Sequence, residues 1–333
     1  MTQFVENLMS RASKLSKTIA LAEGTDVRAA KAAEILTQKN VCKVVLIGNE
    51  EEIKTKFPEI DFTGVSFDDP KTSEHRAEYA NTLYELRKAK GMTEEQTLNI
   101  VTTNNMFYAC VALKRGDVDG VVGGAVFSSA DVSRAAFQVI KAAPGISSVS
   151  SCFVMVPPED FKYKKYPAYI FSDCAVIPYP TSDQLSDIVV AAADSAKKIC
   201  EMDPKIAMLS FSTKGSANHE SVEKVRVAYQ KVKEEHPDID VDGELQLDAS
   251  LVDSVANQKA PGSPVAGKAN VLVFPNLDAG NIGYKIAQRF GNCMAIGPIM
   301  QGLALPVNDL SRGCVAEDIA AVAAITALQS VKG

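Results

Sequence analysis

The sequence is poor in the side chains that most often build hydrolytic and metal centres. It has only three histidines, His75, His219 and His236, and each stands in a polar context typical of an exposed helix. Its seven cysteines are an odd number and include no C-x-x-C pair, which argues against a disulfide framework and against a zinc site. We therefore expect neither a histidine-centred triad nor a metal cage, and the unpaired cysteines indicate a reducing, cytoplasmic location.

Two further absences restrict the possible partners. No apolar run reaches the ~18 residues that a membrane-spanning helix needs, and residues 1–17 lack the basic and apolar segments of a secretory signal. Lys and Arg together number 35 against 41 Asp and Glu, a formal net charge of -6. Proteins that bind nucleic acid or anionic membranes usually show the opposite balance. We expect a small-molecule ligand, held by a few placed cations if it is anionic.

What the sequence does contain is a regular alternation of β-rich and helical segments. Short apolar runs, such as residues 18–22, 43–47 and 118–122, are separated by amphipathic segments; this alternation is typical of βαβ units and mostly parallel sheets. A length of 333 residues exceeds what one core usually serves. Pro-Gly and Gly-Pro pairs suggest two boundaries. We predict two α/β domains with a cleft between them, made of residues 1–144 with 297–333 and of residues 145–296.

A loop at residues 262–268 comes close to a known phosphate-binding motif. Its sequence GSPVAGK fits G-x-x-x-x-G-K, but alanine follows where a nucleotide-binding loop needs serine or threonine. The predicted order is also reversed, with a helix before the loop and a strand after it, so an ATPase is not expected. No G-x-G-x-x-G follows a strand, which weakens a dinucleotide-binding interpretation. Lys268 and this backbone remain a candidate anion site, beside the alternative of a plain turn.

The predicted strand at residues 118–122 runs into a loop of paired glycines and paired serines. The glycines would let a ligand approach the backbone, and Ser128 and Ser129 precede a helix whose N-terminus attracts anions. The same serines can act simply as helix caps. Arg134, about one turn into the helix, is placed to reach a phosphate near the helix start. The pattern is compatible with both capping and ligand binding.

Two more segments combine hydroxyl groups, a cation and a glycine. One is SFSTKGSA at residues 210–217, which is also typical of a polar loop with a helix cap. The other is PVNDLSRGC at residues 306–314, followed by Asp318 in the first turn of the last predicted helix. Ligands of open α/β sheets bind beyond the carboxyl ends of the strands. Together, these segments predict a small-molecule site.

Long stretches of the chain resemble the phosphate acetyltransferase family, and the similarity extends from end to end. They read LSFSTKGSA, DGELQLDA, KAPGSPVAGKANVLVFPNLDAGNIGYKIAQR and GPIMQGLALPVNDLSRGC. The resemblance implies two α/β domains related in fold to the isocitrate and isopropylmalate dehydrogenases, and a homodimer. It also implies the interconversion of acetyl-CoA and phosphate with acetyl phosphate and coenzyme A (CoA). CoA is then a substrate, and no cofactor is tightly bound.

The resemblance also assigns roles to individual residues. Asp318 corresponds to the base that takes the proton of the CoA thiol. Arg312 corresponds to the group that holds the phosphate and the charge developing at the carbonyl, and Ser311 adds a hydrogen bond there. Arg87 and Arg134 match family arginines that grip the CoA phosphates. The predicted substrate contacts are completed by Ser128, Ser129, Lys268 and Cys314.

Several alternatives stay open on the sequence. A butyryl group differs from acetyl by methylene groups worth only ~1–3 kcal/mol each. Cys314 is an alternative nucleophile, which would form an acetyl-enzyme. A metal- and NAD-dependent dehydrogenase on the related fold would need a carboxylate cluster, and Asp173, Asp248 and Asp278 have no convincing spacing for one. A non-catalytic domain that senses CoA or acetyl phosphate is disfavoured by the complete final motif.

Overall fold

The computed structural model of the chain describes residues 2–331 and contains two compact units. The first unit is made by the residues up to Pro144 together with those from Leu303, and the second by Gly145–Gly302. Each unit combines helices with one β-sheet, as the alternation in the sequence predicts. No helix among residues 2–331 is long and apolar enough to cross a bilayer.

The first unit contributes five strands and eight α-helices to the described part of the chain. The strands are β1 (Thr18–Leu21), β2 (Lys43–Ile47), β3 (Val65–Asp68), β4 (Gly120–Val122) and β11 (Val307–Asn308). The helices are α1 (Gln3–Ala12), α2 (Val27–Gln38), α3 (Glu50–Lys56), α4 (Arg76–Arg87), α5 (Glu94–Thr103), α6 (Asn105–Arg115), α7 (Ser129–Ala135) and α13 (Ala316–Gln329). Side-chain oxygens of Asp26 and Asn104 start α2 and α6 by accepting first-turn N–H groups.

All strands of the first sheet are parallel, in the order β11-β4-β1-β2-β3. The central strands β1 and β4 are short and apolar, and nearly all of their side chains are buried, as expected where helices cover both faces of a parallel sheet. β4 lies between β1 and β11. The carboxyl ends of these three neighbouring strands therefore meet at one edge of the sheet, although β11 is far from the other two in the sequence.

Two glycines show how closely helices approach β4 and the residues after it. A Cβ atom on Gly120 would overlap with the Thr326 side chain of α13, and one on Gly123 would lie 2.8 Å from Met106 Sδ of α6. Residues an odd number apart in a strand face opposite sides, so α13 and α6 cover opposite faces. The residues of α13 from 319 to 328 are all buried, which explains why this helix is almost purely apolar.

The second unit has a six-stranded sheet in the order β10-β5-β6-β9-β7-β8. Its strands are β5 (Ser150–Val156), β6 (Tyr169–Ser172), β7 (Ile206–Leu209), β8 (Val241–Leu245), β9 (Val271–Val273) and β10 (Met294–Gln301). Its helices are α8 (Ser182–Cys200), α9 (Glu220–Glu235), α10 (Leu247–Leu251), α11 (Asp253–Lys259) and α12 (Leu277–Arg289). Four neighbouring strands are parallel, whereas β5 pairs antiparallel with both β6 and β10. Both sheets are therefore mostly parallel.

The sequence pattern did not predict β10, because a Gly-Pro pair lies in the middle of it. The strand pairs with β5 on both sides of that pair, with a break in register between Ile296 and Ile299. Proline is tolerated in sheets at such irregularities. The division predicted at residue 297 falls inside this strand, and the first unit resumes at Leu303.

The contact between β4 and α13 generates a stability prediction. We expect Gly120→Ala to lower the free energy of unfolding by ~1–3 kcal/mol, because an added methyl group overpacks a closed interface. Thr326 cannot turn aside freely, since its Oγ1 donates to Val322 O at 2.7 Å and accepts from Asn308 Nδ2 at 2.8 Å. Urea unfolding measures the loss. Gly313→Ala is the control, because its methyl group would meet only Ser311 Oγ at 3.8 Å; equal losses would contradict the prediction.

Candidate active site

Three loops leave the carboxyl ends of β1, β4 and β11 side by side. We call them the glutamate loop (residues 22–26), the glycine loop (residues 123–128) and the arginine loop (residues 309–315). Because the three strands are parallel neighbours, their exits lie at one edge of the sheet, where ligands of open α/β sheets bind. Two of the four segments that the sequence indicated for ligand binding, the glycine loop and the arginine loop, are thus brought together.

The glutamate and glycine loops are joined through one buried carboxylate. Glu23 is 6 % exposed, and its two oxygens accept the backbone N–H groups of four successive residues, at 3.1, 2.8, 2.7 and 2.7 Å. These donors belong to residues 124–127. A run of backbone N–H groups converging on one point is an anion site. Here the protein supplies the anion itself, so these four donors are not free to bind a ligand.

Arg28, in the first turn of α2, joins all three loops. Its guanidinium forms a two-pronged contact with the Asp26 carboxylate, with both N–O distances 2.9 Å. It also donates to the carbonyl oxygens of Ala125 at 2.8 Å, Arg312 at 2.8 Å and Cys314 at 3.4 Å. The hydrogen bond from Arg28 lowers the pKa of Asp26 against the opposing effect of its partial burial.

The arginine loop is anchored at its start and exposed at its tip. The Asn308 amide donates to Thr326 Oγ1 at 2.8 Å and to Gln329 Oε1 at 2.7 Å, which fastens β11 to α13. Leu310 is buried, whereas Ser311 and Arg312 are exposed. Among the residues that the structure describes, no hydrogen bond or ion pair engages the Arg312 guanidinium. The loop therefore presents an arginine whose donors are available to a ligand.

The arginine loop leads directly into α13, where Asp318 lies half-buried in the first turn. Its Oδ2 accepts the N–H of Val315 at 3.0 Å. Burial raises the pKa of Asp318, and the Val315 N–H opposes that rise. Burial also raises the pKa of the nearby Cys314 thiol to about 11, although Arg28 lowers it. The carboxyl group is thus a stronger base than usual, while Cys314 is a poor source of thiolate.

Asp309, the first residue of the arginine loop, packs against Gly124 of the glycine loop. It is 2 % exposed, and a side chain on Gly124 would collide with its carboxylate. Burial raises the pKa of Asp309 to about 6, against a lowering hydrogen bond from Ser129. Within residues 2–331 its Oδ1 atom finds no hydrogen-bond partner. Only glycine fits at position 124, where φ is +111° and the two loops are in contact.

The remaining predicted site residues of the first unit lie in α4 and α7 or at their ends. Ser128 caps α7, since its Oγ accepts the Asp131 N–H at 3.2 Å. Ser129 begins the same helix. Arg134 is exposed and pairs with Asp131 at 2.7 Å. Arg87 is half-buried at the end of α4, and its Nε has no partner among the described residues.

The two other segments that the sequence singled out lie in the second unit. Lys268 is exposed, and its carbonyl oxygen accepts the Tyr166 hydroxyl at 2.9 Å. The segment at residues 210–217 encloses a buried carboxylate, Glu244, which accepts from Ser212 Oγ and the Gly215 N–H at 2.8 Å each. Burial alone would raise the pKa of Glu244, but these bonds and the Arg226 guanidinium lower it to about 2. The conformation of this segment is accounted for by that internal network.

Sequence reasoning missed four polar residues of the site: Glu23, Asp26, Arg28 and Asp309. The first three follow β1 directly, so the rule applied to the other strand exits would have found them. Their segment was passed over because it contains no paired glycines or serines and reads as an ordinary helix start. Asp309 gave no separate signal, since nothing in the sequence shows that it is buried while Arg312 is exposed.

The buried carboxylate generates a second stability prediction. In Glu23→Gln an amide N–H₂ group replaces one carboxylate oxygen. Its N–H groups then face the backbone N–H groups of residues 124–127, which lose an acceptor. We expect the free energy of unfolding to fall by ~1–3 kcal/mol, the usual cost of leaving buried donors unsatisfied. Urea unfolding provides the measurement. Glu34→Gln is the matched control, because half-buried Glu34 accepts only one backbone N–H, from Asp61 at 2.9 Å. The idea fails if both variants lose the same stability.

Comparison with known proteins places this arrangement in a family. Residues 3–327 match the family model described as phosphate acetyl/butaryl transferase. The chain is 51% identical to a phosphate acetyltransferase of Acetivibrio thermocellus, covering 98% of each chain, and 49% identical to one of Clostridium acetobutylicum, covering 99% of each.

Solved structures agree with this assignment. The fold matches a phosphotransacetylase from Streptococcus pyogenes with a TM-score of 0.91 at 40% identity, covering 99% of each chain. A 4-hydroxythreonine-4-phosphate dehydrogenase from Klebsiella pneumoniae, at 12% identity and a TM-score of 0.56, covers 95% of this chain and shares the fold alone. This agrees with the predicted likeness to a dehydrogenase fold. The chain belongs to the phosphate acetyl/butaryl transferase family.

Proposed function

We propose that this chain is a phosphate acetyltransferase, which interconverts acetyl-CoA and phosphate with acetyl phosphate and CoA. One observation carries the proposal beyond the family assignment. The arginine loop presents Arg312 without a partner among residues 2–331, and it leads into a helix start where burial raises the pKa of Asp318. A cation for a phosphoryl group and a carboxylate base for a thiol are the two groups that this transfer needs.

Asp318 is the base in the proposed mechanism. It accepts the proton of the CoA thiol while the sulfur forms a bond to the acetyl carbon of acetyl phosphate; the bond from that carbon to the phosphate oxygen then breaks, and phosphate leaves. A carboxylate of ordinary pKa is roughly 4.6 pKa units too weak to deprotonate a thiol fully, an uphill transfer of about 6 kcal/mol. Burial of Asp318 reduces this gap, and proton transfer concerted with carbon–sulfur bond formation removes the need for a free thiolate.

Arg312 and Ser311 stabilise the charge that develops during the transfer. A guanidinium binds phosphate oxygens through paired N–H groups. The N–H groups of the exposed Arg312 are available for such a contact. Ser311 is exposed beside it, and its hydroxyl adds a hydrogen bond at the carbonyl. Electrostatic stabilisation of this kind is usually the largest single contribution to catalysis. We assign it the larger share of the rate here.

The remaining predicted contacts hold CoA. Arg87 and Arg134 bind its phosphates, and the unpaired Nε of Arg87 favours that role, because a phosphate oxygen would satisfy it. Lys268 adds a further cation. Ser128, at the end of the glycine loop, and Ser129, at the start of α7, add hydroxyl groups. In a protein with net charge -6, anionic substrates depend on these placed cations.

Cys314 contacts the substrates without becoming acetylated. It is buried, and its thiol pKa is raised to about 11, so the thiolate that covalent catalysis requires is scarce. Direct attack by CoA within a ternary complex needs no such intermediate. The acyl group in this proposal is acetyl, as in the names of the relatives; these names do not favour a butyryl-specific enzyme or a sensing domain.

Three further properties complete the proposal. The transfer exchanges a thiol and a phosphate at one carbonyl carbon and moves no electrons between carriers, so we propose that no cofactor is tightly bound. Seven cysteines, six of them buried and none of them in a C-x-x-C pair, favour the cytoplasm. A homodimer is favoured by an exposed apolar stripe on α12 and the residue that ends it, formed by Ile282, Ile286 and Phe290, which are 58%, 53% and 88% exposed.

A thioester absorbance assay tests the main proposal. With CoA and acetyl phosphate we expect the wild-type protein to form thioester rapidly. The rate should be at least ~10²-fold lower in Arg312→Ala and in Asp318→Asn, because each substitution removes a group that acts in the transition state. Cys314→Ala should stay active. Arg115→Ala is the control, since Arg115 precedes β4 at the opposite end of the strands and pairs with Glu78.

The same assay separates the alternatives. Butyryl phosphate, supplied in parallel, should react more slowly than acetyl phosphate, and a preference for butyryl would change the proposed substrate. No thioester from either compound, with CoA binding retained, would favour a sensing domain. Near-full turnover by Asp318→Asn would exclude Asp318 as the base.

The apolar stripe generates a prediction about assembly. We expect Phe290→Glu to convert the homodimer into monomers in sedimentation velocity runs, because a charge inside an apolar interface loses its hydration without gaining a partner. Phe211→Glu is the matched control, since Phe211 is also exposed in the second unit but lies outside the stripe. A Phe290→Glu protein that sediments like the wild type would argue against this interface.

A further inference from the structure

Arg28 has no donor left for a substrate. A guanidinium carries five N–H groups in a fixed plane. In Arg28 the Nε–H and one N–H of Nη2 bind the two oxygens of Asp26. The second N–H of Nη2 binds Ala125 O, and the two of Nη1 bind the carbonyl oxygens of Arg312 and Cys314. All five donors thus face acceptors of the protein, and Cys314 Sγ, 4.0 Å from Nη1, is a sixth acceptor.

Arg312 shows the opposite arrangement, although it lies next to Arg28. Its side chain is exposed, and none of its donors is engaged by the described residues, while its own carbonyl oxygen is held by Arg28 at 2.8 Å. One arginine therefore binds the main chain of the other. The direction in which the Arg312 side chain leaves the loop depends on that backbone, and the backbone depends on Arg28.

The other end of this connection is held by several hydrogen bonds. The Ala125 carbonyl, which Arg28 also binds, belongs to the glycine loop, and the N–H groups of that loop converge on the buried Glu23 carboxylate. The Asp26 carboxylate accepts hydrogen bonds from Arg28 Nε and Nη2 and balances the charge of the guanidinium. Arg28 thereby connects the exposed tip of the arginine loop to two loops that are themselves joined by the Glu23 hydrogen bonds.

We propose that Arg28 is a positioning residue, which fixes the main chain of residues 312–314 and so aims the Arg312 guanidinium at the phosphoryl group without touching the substrate. The proposal rests on the proposed function for its kinetic consequence. A catalytic group misplaced by ~1 Å can cost ~10²-fold in rate. Lysine cannot replace Arg28, because an ammonium has three donors on one atom and cannot span five acceptors.

Arg28→Lys is the test variant, since it keeps the charge and the length of the side chain. We expect its kcat for thioester formation to fall ~10–100-fold while the KM for CoA stays within ~3-fold. The matched control is Arg115→Lys, at the opposite end of the strands, which should keep both constants. Asp26→Asn is a second variant: asparagine still caps α2 but weakens the grip on Arg28, so a smaller fall in kcat, ~5-fold or more, is expected.

A second measurement reports the position of the loop without using the activity. Cys314 is buried in this loop, so its alkylation by iodoacetamide, followed by mass spectrometry, should be slow in the wild type. We expect Arg28→Lys to accelerate it at least ~10-fold while Cys42, buried elsewhere in the same unit, keeps its rate. A general loss of stability would accelerate both cysteines and would count against a local positioning role.

The outcomes are distinct. An Arg28→Lys enzyme with wild-type kcat and slow Cys314 alkylation overturns the proposal. So does a rise in the KM of either substrate at unchanged kcat, because Arg28 would then bind the substrate itself. If the wild-type protein forms no thioester at all, the proposed function fails, whereas the alkylation rates still decide whether Arg28 holds the loop.

Discussion

The organisation of the site depends on one buried carboxylate surrounded by backbone donors. Burying an unpaired charge is expensive, and such charges persist in proteins only when they are fully hydrogen-bonded. Glu23 satisfies this condition with four N–H groups of the glycine loop. The loop is therefore held in one conformation by the glutamate loop next to it. The Ala125 carbonyl that anchors Arg28, and the contact with Asp309, both follow from that conformation.

This arrangement divides the work between backbone and side chains. In many phosphate-binding proteins the backbone N–H groups at a strand exit bind the ligand directly. Here those of residues 124–127 already bind a carboxylate of the protein, so the proposed recognition of anionic substrates relies on guanidinium and ammonium groups instead. The same residue type serves two purposes in this site. All N–H groups of the Arg28 guanidinium bind acceptors of the protein, whereas those of Arg312 face solvent.

Much of the fold could be predicted from the sequence, because strands and helices leave strong periodic signals. β1, β2 and β4 are short apolar runs, and both sheets are mostly parallel as the alternation implies. β10 was missed because a Gly-Pro pair reads as a break, and only pairing with β5 makes the segment a strand. No local pattern shows that β11 inserts next to β4. Strand order depends on contacts between residues far apart in the chain.

For the site, the sequence located the exposed groups better than the groups that hold them. Arg312 stands in a conspicuous polar loop, Asp318 follows it in the first turn of α13, and the family resemblance adds roles for both. Glu23 and Arg28 act through backbone atoms of other loops. Every residue has a backbone carbonyl and nearly every residue a backbone N–H, so the sequence does not show which of them serve as partners. Their partners lie about 100 and more than 280 positions away. Only the neighbouring strands β1, β4 and β11 bring them within reach.

The interrupted order of the first unit has a consequence for how the protein is made. A ribosome releases β1 and β4 early, but β11, the arginine loop and α13 emerge only after the whole second unit has been synthesised. Until then β4 lacks its outer neighbour, and the face that α13 covers stays open to water. The second unit is continuous in the chain and can fold as soon as it has left the ribosome, since domains generally fold as units. The edge that carries the three loops is thus completed last, when the final segment of the chain adds β11 to the sheet that the first segments began.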